Sequence, residues 1–364
     1  MPQRLPDDPY SLAHLTKPAS LARLGGIGVV VLAIAAAFVG TAGWLSPNRL
    51  GPDLMIDRFE AVNGEHPGFR RNHAKGVCLT GTFESNGNAA RLSTAPVFVP
   101  GRTPVIGRFA LAGGMPTMAD GPAAVRSMAL EFQMADGQQW RTGMNNIPVF
   151  PMKDPQAFYE QLATGKRDPK TGKPDPAAMK AFLSSHPETA KALGLIKAQP
   201  FSSGFANATY NSLNAFLLVD SAGTKHPVRW SMVAVDAFAP KPAETPSDKN
   251  YLFDALAARV KQSPVQWHLM LTVGQPGDPT NDATLPWPVD REKVDAGLLT
   301  VTALQGEDGG VCRDVNFDPL VLPAGIVGSD DPLLSARSGA YSKSFTRREG
   351  EAKPPSAVQP GAGG

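Results

Sequence analysis

The residues able to do chemistry in this chain fall into four clusters: GFRRNHAKG at 68–76, IGRFALAGG at 106–114, GMNNIPVF at 143–150 and RSGAYSKSFTRR at 337–348. His73 follows an Arg pair and leads into an apolar strand, so its imidazole can point into a cavity and move protons near neutral pH. A lone histidine at a strand edge is, however, more often a hydrogen-bonded packing residue. Asn145-Asn146 before Ile147-Pro148 reads as a turn, because Asn tolerates left-handed backbone and Pro fixes the next bend. Arg337 and Tyr341, four apart, share one face of a helix, where a guanidinium can reach a phenol oxygen; the alternative is a surface Arg packed over a Tyr. No GxSxG elbow, HExxH or P-loop occurs, which removes the familiar hydrolase and nucleotide chemistries. Two cysteines and six histidines leave little material for a structural zinc cluster.

These clusters need a scaffold. The chain has 364 residues, 42% hydrophobic, with a formal net charge of +2, which suits one large globular domain or two ordinary ones. So small a charge exerts no long-range pull on nucleic acid, and no nucleic-acid partner is expected. Gly 36 and Pro 35 without a Gly-X-Y period favour a loop-rich fold containing β-structure. Alternating β-branched and aromatic patterns predict strands over 77–83, 128–134, 215–220, 228–236 and 265–273, with a hairpin loop at 220–225. Helices are expected over 176–193 and over 250–260, where Leu252, Phe253, Leu256 and Val260 form one stripe; 165–175 reads as a surface loop. This order is an α+β layout with antiparallel strands.

Residues 24–45 contain no charged residue and are long enough to cross about 30 Å of hydrocarbon as one transmembrane helix. Arg4, Lys17 and Arg23 precede the run and Trp44 sits at its far end, so 1–23 is expected in the cytoplasm and the rest outside it. The alternative is a cleavable signal peptide with Ala35 and Ala37 before the cut, although the polar stretch ahead of the run is long for one. Ala36 and Gly40 form a weak small-xxx-small pair. A linker is expected at 46–53, a folded body at 54–348 and a disordered tail at 349–364, where KPPSAVQPGAGG offers little apolar surface. In an oxidising exterior Cys78 and Cys312 either form a disulfide or are two buried small apolar residues; their spacing does not choose.

Taken together and in order, the clusters resemble the haem-containing catalase family. There R-x-x-H-A-K-G carries the distal His, N-N-x-P-x-F the distal Asn and a late R-x-x-x-Y the proximal Tyr, and all three patterns are present here. YNSLNAFLLVDSAGTKHPVRW at 210–230 and DPLVLPAGI at 318–326 resemble the family too. The resemblance spans most of the body and is nearest the short catalase-related peroxidases. It implies an antiparallel β-barrel with surrounding helices, preceded here by the apolar N-terminal helix, and haem b as cofactor.

Residue by residue, the resemblance implies His73 as distal acid/base and Asn145 as its partner. Phe150 and Phe158 would pack the distal pocket, and Arg70, Arg108 and Arg348 would contact the haem propionates. Tyr341 would be the axial iron ligand, with Arg337 holding its phenolate. Physically, a permanently charged guanidinium stabilises an anionic ligand, one imidazole can take and return the peroxide proton, and an amide can orient peroxide without adding charge. Two departures are visible. Ala110 follows Arg108-Phe109 where the family usually carries Ser or Thr bonded to the His, and Asn72 replaces an apolar residue. His73 is therefore expected to be less firmly oriented unless another group takes that place, and the channel wetter. Peroxidase turnover with an external electron donor, on hydrogen peroxide or organic hydroperoxides and with weak catalase activity, is expected. Alternatives are a hydroperoxide-rearranging haem enzyme and a non-catalytic exported haem-binding protein. Sixteen residues follow Arg348, so NADPH binding and an interlocked tetramer are not expected, and a monomer or loose dimer is. The expected location is the inner membrane, single-pass, with the body periplasmic.

Overall fold

The computed structural model describes residues 17–41, 50–121, 125–166, 171, 173–244 and 246–360. Met1–Leu50 and Gly51–Gly364 are separate units. In the first, α1 (Lys17–Thr41) contains the 22-residue apolar stretch Ser20–Thr41 with mean hydropathy 2.3, a length and composition shared by membrane spans and signal sequences. The helix starts earlier than the expected span at 24, while Trp44 and residues 1–16 lie outside the described residues.

In the second unit, α2 (Pro52–Asn63) begins inside the stretch expected to be linker. Pro52 at the first helical turn and Asp53 beside the helix N-terminus favour a start there. The strands are β1 (Gly76–Ser85), β2 (Gly101–Leu111), β3 (Arg126–Gln133), β4 (Gln139–Asn145), β5 (Tyr210–Asn211), β6 (Phe216–Val219), β7 (Lys225–Ala234), β8 (Val265–Val273), β9 (Lys293–Gln305) and β10 (Ile326–Gly328). Consecutive antiparallel pairings run β1-β2-β3-β4-β5-β7-β8-β9 and return to β1, closing an eight-stranded barrel; β6 and β10 extend it outward from β7. Closure removes the unpaired strand edges of an open sheet.

Side chains alternate across that wall. Val77, Leu79, Phe109, Met128, Leu130, Phe132, Trp140, Met144, Trp230 and Trp267 point inward into one buried core. Trp140 stacks on Phe132 and meets Trp230 edge-on, with ring centroids 4.7 and 5.0 Å apart. Burying a large apolar side chain contributes roughly 1.5–3 kcal/mol, so this filled interior makes the barrel a rigid support. Outward positions on β1 to β4 face the helices. There the register aligns Gly76, Ala110, Ser127 and Asn145 in one row and Cys78, Arg108, Ala129 and Gly143 in the next.

The remaining helices are α3 (Pro155–Thr164), α4 (Pro176–Ser185), α5 (Pro187–Ala198), α6 (Tyr251–Gln262) and α7 (Pro332–Glu349). The single helix expected over 176–193 is two. Pro187 lacks the donor a continuous helix needs and pushes His186 to φ −126°, ψ 71°, ending α4 and starting α5. The tail expected to be disordered from 349 is corrected over its described part, since α7 runs to Glu349 and residues 351–360 pack on the body. Glu351 pairs with Arg71 and accepts from the Gly68 amide at 2.6 Å, Ser356 and Gln359 bond Asp308, and Val358 is buried. Residues 361–364 lie outside the described residues. Cys78 and Cys312 form a disulfide, with Cα atoms 5.3 Å apart, which resolves the alternatives their spacing left open.

Candidate active site

Between the outward face of β1 to β4 and helices α2, α3 and α7 lies a cavity of about 1300 Å³, its mouth included. All nine site residues expected from the sequence line it: Arg70, His73, Arg108, Asn145, Phe150, Phe158, Arg337, Tyr341 and Arg348.

His73 reaches the cavity from the loop before β1 with φ 55°, a left-handed backbone that non-glycine residues adopt only when held. Asn72 supplies part of the hold, its Oδ1 accepting from the amides of His73 (2.9 Å) and Gly113 (3.0 Å). Arg108 donates to the carbonyls of His73 and Ala74 at 2.7 and 3.2 Å. The oxygen of Asn72 is thus committed to backbone, and its side chain braces the histidine loop. Burial, reinforced by Arg108, Arg337 and Arg70, pushes the imidazole pKa down to about 3 against the opposing pull of the accepting Leu111 backbone, leaving His73 neutral near pH 7. Nor is the ring unsupported opposite Ala110, because Ser127 Oγ stands 3.0 Å from His73 Nδ1 and also bonds Asn145 Oδ1.

Helix α7 delivers Arg337 and Tyr341. Asp331 caps its first turn, accepting from the Leu333 amide at 2.9 Å, and its other oxygen accepts from Asn214 at 2.8 Å. Arg337 donates to Asn214 Oδ1 and, at 3.1 Å, to the Gly143 carbonyl. A Cβ at Gly143 would stand 3.3 Å from Arg337 Nη2 and 3.4 Å from Tyr341 Oη, so guanidinium and phenol oxygen converge where the wall carries no side chain. Phe150 and Phe59 each meet Phe158 edge-on at 5.7 Å, forming an aromatic side wall with Met55 and Ile56 of α2.

At the opposite rim Arg70, Arg108 and Arg348 gather around Glu307. Arg108 binds Glu307 with two bonds of 2.7 and 2.9 Å, and Arg70 Nε is 3.7 Å from it. Burial would raise the Glu307 carboxyl, but Arg108 and then Arg70 and Arg348 hold it below the usual range. Burial and the neighbouring Arg108 and Arg348 lower Arg70 to about 9. Arg70 Nε and Arg348 Nε and Nη2 are buried without a hydrogen-bond partner among the described residues. Three guanidiniums against one carboxylate leave two positive charges and unused donors, which suits a ligand bearing two carboxylates. The adjoining wall of Ala110, Ala129 and Gly143 is low enough for a flat ring system. These features fit haem, whose two propionates would meet the arginines.

Sequence reasoning missed Ser127, Asn214 and Glu307. None lies in a local motif; the signal for Ser127 is its place directly across from Ala110 in the β2–β3 register, which requires the pairing to be known.

The family described as Catalase matches residues 39–353. A catalase-related peroxidase of Synechococcus elongatus is 36% identical over 317 residues, spanning 86% of this chain and 93% of that protein. One from Mycolicibacterium paratuberculosis is 31% identical over 306 residues, spanning 83% and 96%. Catalase A from Saccharomyces cerevisiae shares the fold at TM-score 0.71 and 22% identity, covering 81% of this chain and 64% of that one.

Proposed function

The chain belongs to the catalase family, and from that premise we propose that it is a haem-dependent peroxidase, reducing hydrogen peroxide or organic hydroperoxides with an external electron donor and retaining weak catalase activity. The observation that carries this reading is the single cavity lined by a neutral imidazole, an amide, a phenol with its arginine, and a positively charged rim. Haem b, bound there, would supply the two-electron redox chemistry that no side chain offers.

In this reading Arg70, Arg108 and Arg348 hold the propionates through forked, charge-assisted bonds. Tyr341 Oη would hold the iron as a phenolate, the form that Arg337 would favour. His73, neutral because it is buried, accepts the proton from one peroxide oxygen and returns it to the oxygen that leaves as water or alcohol. Asn145 orients the peroxide by hydrogen bonding without adding charge. Phe150, Phe158 and Phe59 exclude water from the approach. Beyond the proton that His73 relays, reducing the peroxide takes two electrons from the external donor and two protons from the donor or solvent, giving two waters or one water and one alcohol. We further place residues 24–45 in the membrane as an uncleaved anchor, with the body on its outer side.

Two substitutions test this. His73→Ala should lower peroxide-dependent oxidation of a chromogenic donor by about 10²- to 10⁴-fold in haem-loaded protein. Tyr341→Phe should abolish the high-spin tyrosinate spectrum of the haem. Unchanged turnover in the first would end the peroxidase reading, and an unaltered spectrum in the second would reject Tyr341 as ligand.

A further inference from the structure

We propose that Ser127 is a positioning residue which, through one hydroxyl, fixes both the tautomer of His73 and the facing of the Asn145 amide. The inference rests on His73 and Asn145 being the working pair of the proposed reaction, and it follows from counting protons.

Ser127 lies on the outward face of β3, 7% exposed, directly across from Asn145 on one side and Ala110 on the other. Its oxygen contacts His73 Nδ1 at 3.0 Å and Asn145 Oδ1. A serine hydroxyl has one proton to give. The amide oxygen of Asn145 can only accept, so the proton goes there. Toward His73 the same oxygen must then accept, so Nδ1 carries the hydrogen.

The chain of donors therefore runs from His73 Nδ1–H to Ser127 Oγ–H to Asn145 Oδ1. Two consequences reach the cavity. Nε2 of His73 is left as a bare lone pair, the form a proton acceptor needs. The Asn145 amide, its oxygen held by Ser127, is left with its NH₂ as the donor toward peroxide. A neutral imidazole without this partner would sample both tautomers, and a free amide could turn over; one hydroxyl removes both freedoms. Ala110 has no polar atom with which to do the same work, and Ser127 supplies the hydroxyl from the neighbouring strand.

The test combines a spectroscopic readout that needs no haem with turnover that does. In ¹⁵N-histidine-labelled protein before haem loading, the His73 signals, assigned with the aid of His73→Gln, should show Nδ1–H and an unprotonated Nε2. Ser127→Ala should convert them to a tautomeric mixture. In haem-loaded protein Ser127→Ala should lower peroxide turnover by about 10- to 100-fold with the haem spectrum unchanged. Ser127→Thr should keep most of the activity, and Ala110→Ser in the Ser127→Ala background should recover part of it. Identical nitrogen shifts in wild type and Ser127→Ala, or turnover within twofold in a Ser127→Ala protein that His73→Ala inactivates, would overturn the assignment and leave the peroxidase reading standing. Loss of the tautomer in Ser127→Ala while His73→Ala stays active would do the reverse.

Discussion

To act as a base near neutral pH, the imidazole of His73 must be unprotonated, and burial secures this at a cost to stability in acid. In the unfolded chain the group titrates near its ordinary 6.5, whereas in the fold it is held down to about 3. Between those values the unfolded form binds a proton that the folded form does not. Stability is therefore fully present above 6.5 and declines as pH falls toward about 3. His73→Gln lacks this linkage, so wild-type protein before haem loading should lose more thermal stability than the variant on going from about pH 7 to about pH 4. Parallel melting-temperature profiles across that range would show that the ring is not desolvated. At this scale the sequence was legible wherever a place in the cavity travels with a short local pattern, as for His73, Asn145, Arg337 and Tyr341. Ser127 and Glu307 were not, because strand register and loop closure bring them to their partners from 54 and 199 residues away.

Between elements, the site depends on how α2 and α7 are held together. Arg347 of α7 binds Asp57 and Glu60 of α2, the latter at 2.7 Å, and Lys343 pairs with Asp53. Glu60 also accepts from buried Arg71 at 2.6 Å, and Arg71 continues to Glu351 beyond α7. One carboxylate thus joins the helix that walls the cavity with Met55, Ile56 and Phe59 to the helix that carries Arg337 and Tyr341. Glu60→Gln should lower stability by about 1–2 kcal/mol, less than for an isolated buried pair because each arginine keeps a second acid. The variant should also lose haem faster. Thermal unfolding and transfer of haem to an acceptor protein measure the two effects; if neither changes, the network does not hold α7 in place. The sequence read β8 with its observed bounds and the β6–β7 hairpin loop closely, since alternation and turn residues are local signals. It missed β2, whose Gly and Pro104 mask the pattern, and it ran α4 and α5 together across Pro187.

For the body as a whole, the longest covalent shortcut is the disulfide between Cys78, five residues after His73, and Cys312, in the segment between β9 and β10. It closes a separation of 234 residues. That segment also anchors the charged rim: Arg70 donates to the carbonyls of Cys312 and Val315, and Arg348 to that of Arg313. Cutting the link should therefore both release chain entropy and loosen the arginines. Cys78→Ala with Cys312→Ala, chosen because both sites are fully buried, should cost about 2–4 kcal/mol and weaken haem retention more than it alters the barrel's circular dichroism. The bond also bears on location, since disulfides persist in oxidising compartments and are uncommon in reducing ones. An apolar helix at Ser20–Thr41 ahead of the body fits delivery to such a compartment, whether it stays as an anchor or is removed as a signal. Alkylation under denaturing conditions of protein taken directly from cells, read by mass spectrometry, should find neither buried cysteine modified before reduction and both modified after it. Two freely alkylated thiols in the mature protein would mean that the body faces a reducing interior, and the proposed orientation would have to be reversed.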